Sequence, residues 1–231
     1  IHLYYESRSI EFRAPNLVTP TYFQKPVTAV NSHRGMLNRP DNCQNLNYEG
    51  EVAEIIGRPM KNVAPEDTWD YIAGFAPAND VGAQDFRDTD AGGMTRVKGM
   101  DGFCPLGPGI VRGVDVREST LRTYINGKVV QAGNLSEMTF GIDYQLADLC
   151  RHITLMPGDS VLTGTPANSR PMQPGDVVEV EVTNLGRLTN TVQDVPAPAT
   201  DVGHDPTDTD AVRRVALGGD WWAEQDAKGA E

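Results

Sequence analysis

Glu49 and Glu51, separated by one residue, are the first residues of this 231-residue chain whose spacing suggests chemistry. In an extended strand, residues two apart point to the same face. Read as a strand, Tyr48 to Ile56 sets both carboxylates on one side, beside Ala53 and Ile55. On a wet face the pair is ordinary surface. On a buried face, like charges this close need a cation or a proton between them. Asp80 follows the apolar run Tyr71 to Ala78. An aspartate at the end of a buried strand reaches into a cavity, although such a residue also forms turns and caps helices. The three together offer oxygen ligands without Cys or His. That set suits a hard ion such as magnesium or manganese and leaves coordination positions for water or substrate.

Two further segments carry candidate groups. Lys98 lies in Arg96-Val97-Lys98-Gly99-Met100-Asp101-Gly102-Phe103-Cys104-Pro105, read as a loop whose glycines let backbone approach a ligand. It is either a surface lysine or a functional one. Gly164-Thr165-Pro166 follows an apolar strand and reads as a plain turn or as an anion pocket, its hydroxyl and backbone N–H groups facing a carboxylate. The four histidines form no triad or metal cluster in the sequence, and Cys104 reads as a buried structural thiol.

Composition limits the partners these groups can serve. With 20 Lys plus Arg against 32 Asp plus Glu, the net charge is −12, which argues against nucleic acid and against anionic lipid. An acidic protein that handles anions must concentrate positive charge locally. Three scattered cysteines exclude a disulfide framework and, with the acidic balance, point to a reducing cytoplasm. No apolar run approaches the roughly 20 residues of a membrane span, and the opening Ile1-His2-Leu3-Tyr4-Tyr5 does not read as a signal peptide.

The elements that must position these groups read as a β-rich α+β domain. Residues 1–20 are polar and irregular. Short strands are expected at Val27 to Val30, Leu46 to Ile56 and Tyr71 to Ala78, with a short helix starting at Pro65-Glu66-Asp67 and a polar loop from Asp80 to Gly93. Leu121 to Gln131 is a hairpin turning at Asn126-Gly127. Asn134 to His152 reads as one long amphipathic helix capped by Ser136. Pro157-Gly158-Asp159 and Pro174-Gly175-Asp176 each precede a strand, and Val178-Glu179-Val180-Glu181-Val182 alternates as a half-buried one does. Residues 194–231 read as an extended arm whose Trp221-Trp222 is too apolar to dangle freely.

In this order the motifs resemble the fumarylacetoacetate hydrolase superfamily. They are Phe23-Gln24-Lys25-Pro26, Tyr48-Glu49-Gly50-Glu51-Val52 with Ile56-Gly57, Tyr71-Ile72-Ala73-Gly74-Phe75, Asn79-Asp80, Lys98 and Asp101-Gly102-Phe103-Cys104-Pro105. Asn126-Gly127, Pro157-Gly158-Asp159, Leu162-Thr163-Gly164-Thr165-Pro166, and Val180-Glu181-Val182 with Gly186-Arg187-Leu188 complete the set. The resemblance implies a mixed β-roll of α+β type over residues 21–193, a lid segment over 1–20, and a homodimer. It implies a divalent ion, magnesium or manganese, held by Glu49, Glu51 and Asp80. A 2-oxo acid would chelate the ion, with Lys98, Gly164 and Thr165 nearby. The family chemistry is hydrolysis, decarboxylation or keto–enol isomerisation beside a carbonyl, through an enolate held by the metal.

Two departures bear on which reaction. Many family hydrolases carry Asn-Tyr-x-x-His near the N-terminus, with a Glu three residues later. Here the run is Tyr4-Tyr5-Glu6-Ser7-Arg8, with Glu11 following. Arg is not a base at neutral pH, so Arg8 is expected to clamp a substrate carboxylate, and Glu11 is the nearby alternative base. After Asp80, relatives have Arg and then Gln; this chain has Gln84 and Arg87, a swapped pair for the same anion. The Asn79-Asp80 and Asp101 to Pro105 segments resemble the homoprotocatechuate isomerase/decarboxylase branch. The expected function is therefore decarboxylation or isomerisation of an unsaturated 2-oxo diacid. The alternatives are an acylpyruvate-type C–C hydrolase and an inactive relative recruited for binding.

Overall fold

The computed structural model describes residues 3–90, 92–200 and 202–219. In chain order the elements are α1 (Glu6–Glu11), β1 (Val30–Asn31), β2 (Met36–Arg39), β3 (Leu46–Asn47), β4 (Gly50–Ile56), β5 (Ile72–Asn79), β6 (Gly82–Ala83), α2 (Arg87–Asp90), α3 (Thr95–Lys98) and β7 (Cys104–Pro105). They continue with β8 (Thr120–Ile125), β9 (Lys128–Asn134), α4 (Ile142–His152), β10 (Ser160–Leu162), β11 (Val177–Val182), β12 (Gly186–Asp194) and α5 (Asp210–Leu217). A five-stranded sheet runs β2-β12-β11-β8-β9, with β2 parallel to β12 and the other neighbours antiparallel. A three-stranded antiparallel sheet runs β10-β4-β5, and two small pairs join β1 to β7 and β3 to β6. The result is a mixed, sheet-rich α+β domain, as expected. Among the described residues no helix is long and apolar enough to cross a membrane.

Strand β4 organises the interior. It is buried along its whole length, so both of its faces are internal. Val52 and Ile56 enter the main core with Leu121, Ile142, Leu146, Leu155, Val180 and Leu188. Ala53 and Ile55 point the other way, toward Ala78, Leu106 and Leu162. β11 and the β8–β9 hairpin supply the alternating face read from sequence: Val178, Val180 and Val182 are buried and the intervening residues are not.

Several expected elements differ. The N-terminal segment is irregular only in its second part: α1 forms at Glu6–Glu11, and Leu3, Tyr4, Tyr5, Arg8, Ser9 and Phe12 are buried, while residues 13–20 have neither helix nor strand. Val27–Ala29 is a turn of 3-10 helix rather than strand. The long helix from Asn134 divides. Asn134 Oδ1 accepts from Ser136 N (3.0 Å) and Glu137 Oε2 accepts from Asn134 N (3.1 Å), so Asn134 rather than Ser136 caps a 3-10 turn at Leu135–Glu137. Met138 is extended and α4 starts afresh at Ile142. The polar segment expected from Asp80 to Gly93 carries helical turns at Gln84–Phe86 and Arg87–Asp90, and its first residues, 80–86, are all buried. The arm beyond residue 194 contains α5, which buries Val212 and Ala216; Trp221-Trp222 lies outside the described residues.

The core face of β4 also carries Glu54, fully buried between Val52 and Ile56, with no hydrogen-bond partner for either carboxylate oxygen among the described residues. Burial, reinforced by the charge of Asp143 on α4, pushes this carboxyl well above the ordinary carboxylate value. The folded state therefore binds a proton here that the unfolded chain releases above about pH 4.5. Stability from this group is fully present at lower pH and falls as pH rises toward the folded value. Glu54→Gln removes that titration. Relative to the native chain, the variant should gain about 1.4 kcal/mol per pH unit as pH rises through this window, read by urea denaturation at pH 5 and pH 8.

Candidate metal centre and active site

The end of β5 and the approach to β4 bring the acidic residues together. Glu49 sits just before β4 rather than within it. Its N–H donates to Asn79 Oδ1 (2.9 Å), and its carbonyl accepts from Asp80 N (2.8 Å). These backbone ties place Glu49, Glu51 and Asp80 so that one oxygen of each lies within 4.8 Å of the others. Glu51 and Asp80 are each only 4% exposed. Glu49 is partly buried, so the cluster lies on an internal face, the case in which like charges need compensation.

That compensation comes from three cationic side chains remote in sequence. Lys98, 2% exposed, closes α3 and lies 2.7 Å from Glu49 Oε2 and 2.9 Å from Asp80 Oδ2. Its ammonium also donates to the Asp80 carbonyl (2.8 Å). Lys98 ends a short helix instead of lying in a loop. Lys25 forms an ion pair with Asp80 Oδ1 and donates to the Phe103 carbonyl (2.8 Å). Arg8 approaches Glu49 Oε1 at 3.6 Å from the N-terminal helix α1.

The electrostatics follow from these neighbours. Burial and the charges of Asp80 and Glu49 push the Glu51 carboxyl well above the ordinary range, against the Gly164 amide and Lys98. Burial acts on Asp80 in the same direction, but the charges of Lys25 and Lys98 outweigh it and hold its carboxyl below the ordinary value. Burial disfavours the Lys98 ammonium, yet Asp80 and Glu49 overcome it and raise the group above the usual lysine value. A divalent ion fits this donor set. Glu51 faces two like charges at close range, and an added cation removes the cost of ionising it.

The other candidates fall around the cluster, each with a local task. Gly164 N donates to Glu51 Oε2 at 2.7 Å, so this N–H faces a protein carboxylate rather than an open anion pocket. At φ 101°, with Tyr4 packed against it, no side chain fits at position 164. Thr165 is buried and its Oγ1 accepts from Gln131 Nε2 (3.1 Å). Gln84, also buried, accepts from Arg87 Nε at 3.3 Å, so the swapped residues contact one another. Gly82 lies between Lys98 and Gln84, since a Cβ there would sit 3.0 Å from Lys98 Cε and 3.1 Å from Gln84 Nε2. Glu11 binds Arg8 Nη1 through Oε2 (2.7 Å) and Arg170 Nη1 through Oε1 (2.6 Å). Arg8 is 2% exposed and stacks over Phe12, 4.7 Å from the ring centre.

Sequence reasoning gave no role to Lys25, Asn79, Gln131 or Arg170. Lys25 stands in the Phe23 to Pro26 motif, where one cation beside a proline is the only signal. The other three act through side-chain bonds that depend on long-range packing.

The sheet-rich α+β domain gathers three acidic side chains and a buried lysine near a short N-terminal helix, a carboxylate-lined site that could hold a metal ion. The chain belongs to the fumarylacetoacetate (FAA) hydrolase C-terminal family, which matches residues 4–193. It is 34% identical over 186 residues to the 4-hydroxyphenylacetate degradation bifunctional isomerase/decarboxylase of Escherichia coli, covering 79% of this chain and 43% of that protein. It thus spans less than half the length of that bifunctional relative. It is 32% identical over 203 residues to a mitochondrial oxaloacetate tautomerase of Xenopus laevis, covering 83% of this chain and 64% of the other. The crystal structure of 5-carboxymethyl-2-hydroxymuconate delta-isomerase from Mycobacterium smegmatis matches with a TM-score of 0.79 at 36% identity, over 84% of this chain and 77% of that one.

The cluster makes a direct prediction. Magnesium at about 100 times its dissociation constant should stabilise the native chain by about 2.7 kcal/mol. Glu51→Ala should abolish that rise in melting temperature. A full rise in the variant, after chelation and back-titration, would remove Glu51 from the ligand set.

Proposed function

We propose that this protein is a magnesium- or manganese-dependent enzyme that decarboxylates or isomerises an unsaturated 2-oxo diacid, working as a homodimer. The observation that carries the reading is the lid residue facing the acidic cluster, which is Arg8, a group that cannot accept a proton. Glu49, Glu51 and Asp80 would hold the ion, which when bound polarises the keto acid and offsets developing negative charge. The Lys98 ammonium, fixed between Glu49 and Asp80, would face the substrate and stabilise enolate charge. Arg8 would clamp the distal carboxylate, the kind of planar pairing that guanidinium makes well. Thr165, Gly164, Gln84 and Arg87 would line the remainder of the pocket.

Neither decarboxylation nor keto–enol isomerisation needs an attacking water, and a lid helix that buries Arg8 and Ser9 over the site would help to keep it out. A hydrolase needs a base to activate water. Glu11 is the nearby carboxylate, and its two oxygens are engaged by Arg8 and Arg170. The family also includes hydrolases, so acylpyruvate cleavage is the reading to test against. The names of the Escherichia coli, Xenopus and Mycobacterium relatives favour decarboxylase, tautomerase and isomerase chemistry.

The deciding experiment offers an acylpyruvate and an unsaturated 2-oxo diacid separately, in water labelled with heavy oxygen. Carbon dioxide release or a shifted double bond from the diacid is expected. Rapid acylpyruvate cleavage with label in the product, and an untouched diacid, would overturn the proposal. Lys98→Met should lower kcat by at least about 100-fold while magnesium binding persists, the loss expected on removing a charge that acts in the transition state. Arg8→Ala should raise KM for diacids but not for monoacids. Light scattering on the purified chain reads the dimer.

A further inference from the structure

Beyond residue 193, where the family match ends, the chain returns to the side of the domain that carries the lid. Thr207 donates its N–H and its Oγ1 to the Asp85 carbonyl, at 2.9 and 3.0 Å. Thr209 caps α5: its Oγ1 accepts from Val212 N (3.2 Å) and donates to Asp88 Oδ2 (2.7 Å). Val212 and Ala216 are fully buried beneath α5, and the Ala216 carbonyl accepts from Asn47 Nδ2 at 2.8 Å. The chain then turns through Gly218 and Gly219, with φ of 85° and 60°. A Cβ on Gly219 would lie 2.6 Å from the Glu11 carbonyl oxygen, and one on Gly218 would lie 2.7 Å from Arg170 Nη1. The segment after α5 therefore rests backbone to backbone on the last turn of α1. It does so at the Glu11–Arg170 pair that orients Arg8.

We propose that α5 with Gly218 and Gly219 is a latch that holds the lid helix closed, so that residues outside the family domain position Arg8 and Glu11. The proposal rests on the reading of α1 as the cover of the metal centre. Its physical basis is coupling between two terminal segments. The lid is otherwise secured by the bridge of Tyr5 with Met138, the Thr139 N–H donating to the Tyr4 carbonyl (2.7 Å), and the Ala167 N–H donating to Ser7 Oγ (3.3 Å). Short terminal elements open locally at low free-energy cost, so a docked second segment sets how often this one opens. Two glycines are required because the backbones touch, and any side chain at 219 separates them.

The test is hydrogen exchange on the full-length protein, native and as Thr209→Val, which removes the cap of α5 without touching the lid. Residues 210–217 should exchange about ten-fold faster, and residues 5–12 should accelerate with them, while β4 and β12 stay unchanged. Gly219→Val should accelerate residues 5–12 with less effect on α5. Faster exchange in α5 with none in residues 5–12 would overturn the latch, as would equal acceleration of β4, which reads as general destabilisation. If Gly219→Val does not fold, Thr209→Val decides alone. In the same variant KM for a 2-oxo diacid should rise about ten-fold with kcat within about two-fold, the split expected of a positioning role. Exchange is read without substrate, so a protein lacking the proposed activity still reports whether the latch exists.

Discussion

Three carboxylates held within 4.8 Å of one another and largely out of water repel strongly, and the surrounding structure answers that repulsion. Lys98 bridges Glu49 and Asp80, Lys25 pairs with Asp80 as well, and Arg8 arrives at Glu49 from the N-terminal helix. The cations come from residues 8, 25 and 98, so the chain must fold as a unit before the cluster is tolerable. An acidic chain has few positive groups to spare, and three of them converge here. A divalent ion extends the same logic, adding charge where Glu51 has the least compensation.

Strand β4 shows how differently one element treats its two faces. Glu51 points into the charged site and is met by an amide and a lysine. Glu54, three residues on and on the opposite face, is buried among Val52, Ile56 and the helix α4 side with no partner for either oxygen among the described residues. A neutral carboxyl is the state such a position favours, because an ionised one has no charge to meet it. The same residue type therefore serves as a ligand candidate beside compensating groups on one face and as an unpartnered core carboxyl on the other.

Both ends of the described chain converge on the site. The N-terminal helix brings Arg8 and Glu11, Arg170 from the loop before β11 fixes Glu11, and the turn after α5 lies on that pair. Because this segment is a helix rather than a loose loop, its backbone is satisfied internally while Leu3, Tyr4, Tyr5 and Phe12 are buried around it.

Local pattern determined a good deal of this protein from sequence alone. The Asn126-Gly127 hairpin, the alternating strand β11, the β-rich α+β class and the acidic trio were all legible, because turn chemistry and two-residue periodicity act over a few residues. The ordered motifs made the family legible as well. What the sequence left open was decided by contacts far apart in the chain. Residues 1–20 and 194–219 look polar and unstructured when read locally, yet each forms a helix because tertiary burial of a few apolar side chains outweighs weak intrinsic propensity. The long helix expected from Asn134 is interrupted at Met138, which is extended and bridges Tyr5, a contact that no short-range rule foresees. Lys25 and Arg170 have no distinguishing local pattern. Their roles exist only where folding places a cation beside a carboxylate more than fifty residues away.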